Sequence, residues 1–122
     1  MKVLVVEDDK FLVNAYRVKF EKMGYEIKIA LDGVEALEVL GKWRPDVVIL
    51  DLVMPKMDGY EFLEKMRAIP EYEKIPVLIA SNLGQNEDLN KAKEMGANNY
   101  VIKGNLSLSE LVIKLEELIP KK

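Results

Sequence analysis

Val47-Val48-Ile49-Leu50-Asp51 is an unbroken aliphatic run closed by a carboxylate. A strand with no polar residue on either face is the signature of a central parallel strand, covered by helices above and below. Upstream of it, Lys2 to Val6 is a second short apolar run, ending in Glu7-Asp8-Asp9. Phe11 to Met23 follows with helical spacing, its stripe being Leu12, Ala15, Tyr16, Phe20 and Met23, and Gly24 stands where a C-terminal cap belongs. Glu26 to Ala30 alternates, with Ile27 and Ile29 sharing a face, and Val34, Leu37 and Leu40 mark a second helix stopped near Gly41. Downstream, a third helix is predicted from about Tyr60 to Ala68, before Pro70. Val77 to Ala80 is the next apolar strand, entered through Ile75-Pro76, which favours extended backbone. A polar helix over Glu87 to Met95 is capped by Gly96, and Tyr100 to Ile102 makes a short fifth strand. Ser107 and Glu110 form a capping box for the last helix, whose stripe is Leu108, Leu111, Val112, Leu115, Leu118 and Ile119.

Strands alternating with helices imply right-handed βαβ connections and an α/β fold. The first, third and fourth strands are apolar throughout and belong in the middle. The second alternates and the fifth is very short, which suits edges. The expectation is a doubly wound, five-stranded parallel sheet in the order 2-1-3-4-5, flanked by five helices. At 122 residues, the chain is expected to form a single domain over 1–122.

Composition removes several kinds of chemistry. With no cysteine there is no disulfide, thiol nucleophile or thiolate metal site, and with no histidine there is no Ser/His or Cys/His pair. Carboxylates, lysines and hydroxyls are left to act. The net charge of −3, from 18 basic and 21 acidic residues mixed along the chain, gives no basic face for direct nucleic-acid binding. No apolar run approaches the roughly 20 residues that span a bilayer. A soluble cytoplasmic protein, away from the membrane, is the expectation.

Ligands of open parallel sheets bind beyond the carboxyl ends of the strands, at the switch in strand order. That switch lies between the first and third strands, which end in Glu7-Asp8-Asp9 and in Asp51. The fourth strand ends in Ser81-Asn82 and the fifth in Lys103. Close carboxylates repel unless a cation neutralises them, and a hard divalent ion such as magnesium suits few protein oxygens plus water. A hydroxyl and an ammonium on the far side of Asp51 are placed to hold an anion, as in phosphoryl-transfer sites. A carboxylate is itself a competent nucleophile toward phosphorus.

Four fragments together, V-V-E-D-D at Val5 to Asp9, D-L-V-M-P-K-M-D-G at Asp51 to Gly59, I-A-S-N at Ile79 to Asn82 and Y-V-I-K at Tyr100 to Lys103, resemble the receiver domains of two-component response regulators. The resemblance covers the whole chain and implies the flavodoxin-like receiver fold and a single-domain, chemotaxis-regulator-like phosphoacceptor, not an enzyme acting on a separate substrate. It makes Asp51 the phosphoacceptor and a member of the magnesium-binding set. It makes Asp8 a direct magnesium ligand, Glu7 a ligand largely through water, and the Val53 carbonyl a third ligand, with manganese an acceptable substitute. Ser81 would donate to a phosphoryl oxygen, and Lys103 would pair with the phosphoryl or, without it, with Asp51. Tyr100 corresponds to the switch aromatic that turns inward as Ser81 moves. The face of helix four, strand five and helix five, carrying Asn90, Lys91, Glu94, Glu110 and Lys114, would address a downstream protein or output domain. With no histidine here, the donor is a histidine kinase or a histidine phosphotransfer protein, docking near helix one.

Gly104 stands where receivers usually carry proline after the lysine. A cis bond without proline costs about 2.5–4 kcal/mol, so a trans Lys103–Gly104 peptide and a rearranged loop are expected. Val53 and Leu83, apolar residues two beyond Asp51 and Ser81, cannot orient a hydrolytic water, which implies slow self-dephosphorylation. Three rival readings stay open at this point. An aspartate-nucleophile phosphatase would want an acid two residues after Asp51, where Val53 stands. A flavin or nucleotide carrier would want a glycine-rich loop after strand one, where Glu7, Asp8 and Asp9 stand. A degenerate receiver would serve only as an interaction module, and Gly104 leaves it room.

Overall fold

The computed structural model describes residues 1–52, 57–81, 86–102 and 107–119, with residues 86–89 described by backbone alone. Its elements run β1 (Lys2–Val6), α1 (Lys10–Lys22), β2 (Glu26–Ala30), α2 (Gly33–Leu40), β3 (Val47–Leu50), α3 (Gly59–Arg67), a 3-10 turn (Pro70–Tyr72), β4 (Val77–Ser81), α4 (Asn86–Glu94), β5 (Asn99–Ile102) and α5 (Leu108–Glu117). The strands form one parallel sheet in the order β2-β1-β3-β4-β5, as the strand compositions require. Every residue of β3 and β4 is buried, whereas β2 and β5 keep partly exposed positions. Apolar-on-both-faces and alternating patterns therefore sort centre from edge.

Alternation along each strand builds two cores. Leu4, Val6, Val48, Leu50, Val77 and Ile79 pack with Leu40, Phe62, Leu63 and Met66 from α2 and α3. Val3, Val5, Val47, Ile49, Leu78 and Ala80 pack on the other face with Tyr16, Phe20, Leu111 and Leu115 from α1 and α5. Two helical stripes differ from their sequence reading. On α1, Val13 is buried and Ala15 exposed; on α2, Gly33 and Ala36 are buried while Val34 is 43 % exposed. In short helices several overlapping stripes satisfy the period, and the angle at which the helix meets the sheet selects among them. Helix ends moved by a residue: Lys10 enters α1, Gly59 enters α3, and Met95 falls beyond α4. Gly24, at φ +78°, and the Ser107–Glu110 capping box terminate and start their helices as expected.

Arg67 ties the base of the α3–α4 layer together. Its guanidinium donates to the carbonyls of Gly96 (3.0 Å), Tyr72 (2.8 Å) and Glu73 (3.0 Å) and to Asn98 Oδ1 (3.1 Å). Asn98 Oδ1 also accepts from the Val77 amide at 2.9 Å, so the clamp reaches β4. Truncation to Ala strands several carbonyls at once. Arg67→Ala is expected to cost about 2 kcal/mol in a urea melt, with the slope unchanged. Among the described residues, no helix is long and apolar enough to cross a membrane.

Candidate phosphoacceptor site

The register of the sheet sets the site. Val6 lies beside Leu50, so the next residues, Glu7 and Asp51, emerge side by side at the carboxyl edge. The ladder continues through both: the Asp51 amide donates to the Val6 carbonyl at 3.0 Å and the Glu7 amide to the Ala30 carbonyl at 3.0 Å. Glu7 and Asp51 are buried, at 2 % and 7 % exposure, while Asp8 faces solvent. Carboxylate oxygens of Glu7, Asp8 and Asp51 all lie within 4.8 Å of one another. Asp9 stands apart. It caps α1, accepting from the amides of Phe11 at 3.0 Å and Leu12 at 3.3 Å.

An all-oxygen donor set with two buried members and one open to solvent fits a small hard cation. Magnesium holds oxygens at about 2.1 Å, so opposite ligands sit about 4.2 Å apart, within reach of this cluster. Softer ions gain nothing special from it, because no nitrogen or sulfur is offered.

Ser81 closes β4 and is 1 % exposed. Ile79, two residues before Ser81, pairs with Leu50 on one side and Tyr100 on the other, and Ser81 itself pairs with Ile102. Tyr100 is half-buried against the α2–α3 core, and the Lys93 ammonium sits 4.9 Å from its ring centroid. Lys91 sits 4.5 Å from the Tyr60 ring in the same manner. Two cation–π contacts therefore fasten α4 to its neighbours. Val53, Leu83, Lys103 and the Lys103–Gly104 peptide lie outside the described residues.

Two residues outside the expected set stand out. Gly59 is required by contact: a Cβ there would stand 2.4 Å from the Asp51 carbonyl oxygen and 2.7 Å from Leu52 Cα. Asp58 and Gly59 are the N-cap and first residue of α3, with Gly59 seated directly on the backbone of Asp51. Asp32 is the other, a carboxylate only 3 % exposed that caps α2 by accepting from the Glu35 amide at 2.9 Å. Its signal was available, an aspartate with glutamate three residues later at a helix start.

The model of the response regulator receiver domain matches residues 3–116. The chain belongs to that family. This receiver is 37 % identical over 96 % of its length to a probable transcriptional regulator, ycf29, of Porphyra purpurea, of which it covers 56 %. It spans about half the length of the curated relatives it matches. Among solved structures, it resembles chemotaxis protein CheY4 of Vibrio cholerae, with TM-score 0.90, 31 % identity and coverage of 97 % of this chain and 98 % of that one. The Francisella response regulator 1452 receiver domain is similar at TM-score 0.86 and 34 % identity, over 96 % of this chain and 94 % of that one. The receiver is thus a phosphoacceptor module of two-component signalling, and its family binds magnesium at an acidic site.

Proposed function

We propose that Asp51 accepts a phosphoryl group from a phosphohistidine donor, in a magnesium-dependent transfer that resets the α4–β5–α5 face. The observation that carries this reading is the gathering of Glu7, Asp8 and Asp51 within 4.8 Å at the strand-order switch. Asp51 Oδ attacks phosphorus, the donor's N–P bond breaks, and the imidazole leaves with a proton taken from solvent, giving an acyl phosphate. The donor imidazole comes from outside these residues, since the chain has no histidine. Bound magnesium, or manganese in its place, supplies positive charge against the phosphoryl oxygens.

The roles on the protein side divide by position. Asp8, the exposed member, and the Val53 carbonyl take direct ligand positions, and buried Glu7 acts through water. Ser81 donates to one phosphoryl oxygen and Lys103 neutralises another. Movement of Ser81 frees space on the face it shares with Tyr100, whose ring then leaves the Lys93 ammonium. The output is a protein contact or an attached output domain, not turnover of a second substrate.

Incubation with acetyl phosphate, followed by intact-mass spectrometry, tests the transfer. One phosphoryl group is expected with magnesium or manganese and none with excess chelator. Uptake independent of the metal, or none in folded protein, would refute the proposal.

A further inference from the structure

Tyr16 carries a polar atom that the fold leaves without a use. The residue is 0 % exposed, and its hydroxyl is buried with no hydrogen-bond partner among the described residues. A buried hydroxyl in that condition is destabilising, and phenylalanine would fill the same space without it. Chain geometry shows where the hydroxyl leads. Tyr16 packs on the sheet face that also carries Val5 and Ile49. Glu7 and Asp51 lie two residues beyond those, in extended backbone whose ladder bonds continue, so they emerge toward that same face. Helical side chains lean toward their helix N-terminus, and α1 begins at Lys10, immediately behind the acidic edge. The phenol therefore points up from the core beneath the carboxylates. The electrostatics agree: burial first, then the charges of Glu7 and Asp51, hold the phenol above its usual range, so it remains a neutral donor. Below it, Phe20 stacks on the ring at a centroid distance of 6.0 Å and holds it in place.

From this juxtaposition we infer that Tyr16 is a positioning residue of the acidic site, its hydroxyl donating through one bridging water to the Glu7 carboxylate from the core side. The inference rests on the reading of Glu7, Asp8 and Asp51 as a cation site. A donor from below joins the Asp9 amide, which donates to the same carboxylate at 3.2 Å, in holding Glu7 toward the edge, where a cation's water shell can meet it. The sequence reading used Tyr16 only as part of a hydrophobic stripe.

Tyr16→Phe separates the two roles. Magnesium affinity is measured by isothermal titration, and melting temperature is measured in chelator. A positioning role predicts a dissociation constant raised about fivefold with melting temperature unchanged or lower. A core-filling role predicts unchanged affinity and a higher melting temperature, and unchanged affinity overturns the inference whatever the melt shows. Wild-type protein that binds no magnesium overturns the cation-site reading and this inference with it. A second measurement needs no variant. In protein carrying Cζ-labelled tyrosine, the signal shielded from a soluble relaxation agent belongs to Tyr16, the one tyrosine at 0 % exposure among those described. That signal is expected to shift on magnesium saturation, and a stationary signal counts against the inference.

Discussion

Asp51→Asn receives no phosphoryl group from acetyl phosphate at any magnesium concentration, and in chelator it melts higher than the parent. The first half follows from chemistry: an amide matches the carboxylate in shape but has no anionic oxygen to attack phosphorus. The second follows from electrostatics. Three carboxylates within 4.8 Å, two of them buried, repel each other when no cation is bound. Two unit charges at that separation interact by about 3 kcal/mol at an effective dielectric of 20. Solvent screening at exposed Asp8 offsets part of this, so a net gain of about 1 kcal/mol is expected, or about 4 °C in a domain of this size. Added magnesium should then stabilise the variant less than the parent, because one ligand and one charge are gone. Intact mass and paired melts with and without magnesium read both effects. A variant that melts lower in chelator would mean that attraction of Asp51 to a cationic neighbour outweighs its repulsion from Glu7 and Asp8.

Gly59→Ala is expected to lower the melting temperature by about 10 °C and to slow phosphoryl uptake as well. The added methyl meets the Asp51 carbonyl oxygen at 2.4 Å, Leu52 Cα at 2.7 Å and the Asp51 carbonyl carbon at 3.1 Å. All three are backbone atoms of a strand end, so no rotamer change relieves the clash. Either α3 lifts from the sheet or the Asp51 backbone shifts. Overpacking of this kind costs about 3 kcal/mol, which for about 120 residues corresponds to the stated drop. The Gly59 amide also donates to the Leu52 carbonyl at 3.1 Å, a bond that the displaced helix would stretch. A thermal melt and a time course of acetyl phosphate labelling measure the two consequences. Loss of stability with an unchanged labelling rate would show that α3 moves and Asp51 does not.

Both expectations depend on different parts of the chain's legibility. Asp51 by itself reads as loop chemistry after an apolar strand, and it drew attention through its joint placement with Glu7, Asp8, Ser81 and Lys103 at the strand ends. Glu7 and Asp8 alone read equally well as capping, and register brings them to Asp51 because β1 and β3 end level, with Val6 beside Leu50. The packing role of Gly59 was hidden, since nothing local reveals that its Cα will lie against another segment's backbone. Tyr16 looked like packing, since helical period reports which face is buried and not what waits above it.

The amino-acid sequence by itself determined the strand order, the α/β class and the family of the chain. These depend on period and on apolar or polar character, which each residue carries wherever it lies. Tertiary structure alone decided that Val13 and Ala36 are buried while Ala15 and Val34 face water, because the crossing of a helix over a twisted sheet selects its inner stripe. It also decided the convergence of three carboxylates to 4.8 Å, the Arg67 clamp across four segments and the seat of Gly59 on Asp51. Those are distances between residues far apart in the chain, and only packing of the whole domain brings them into contact.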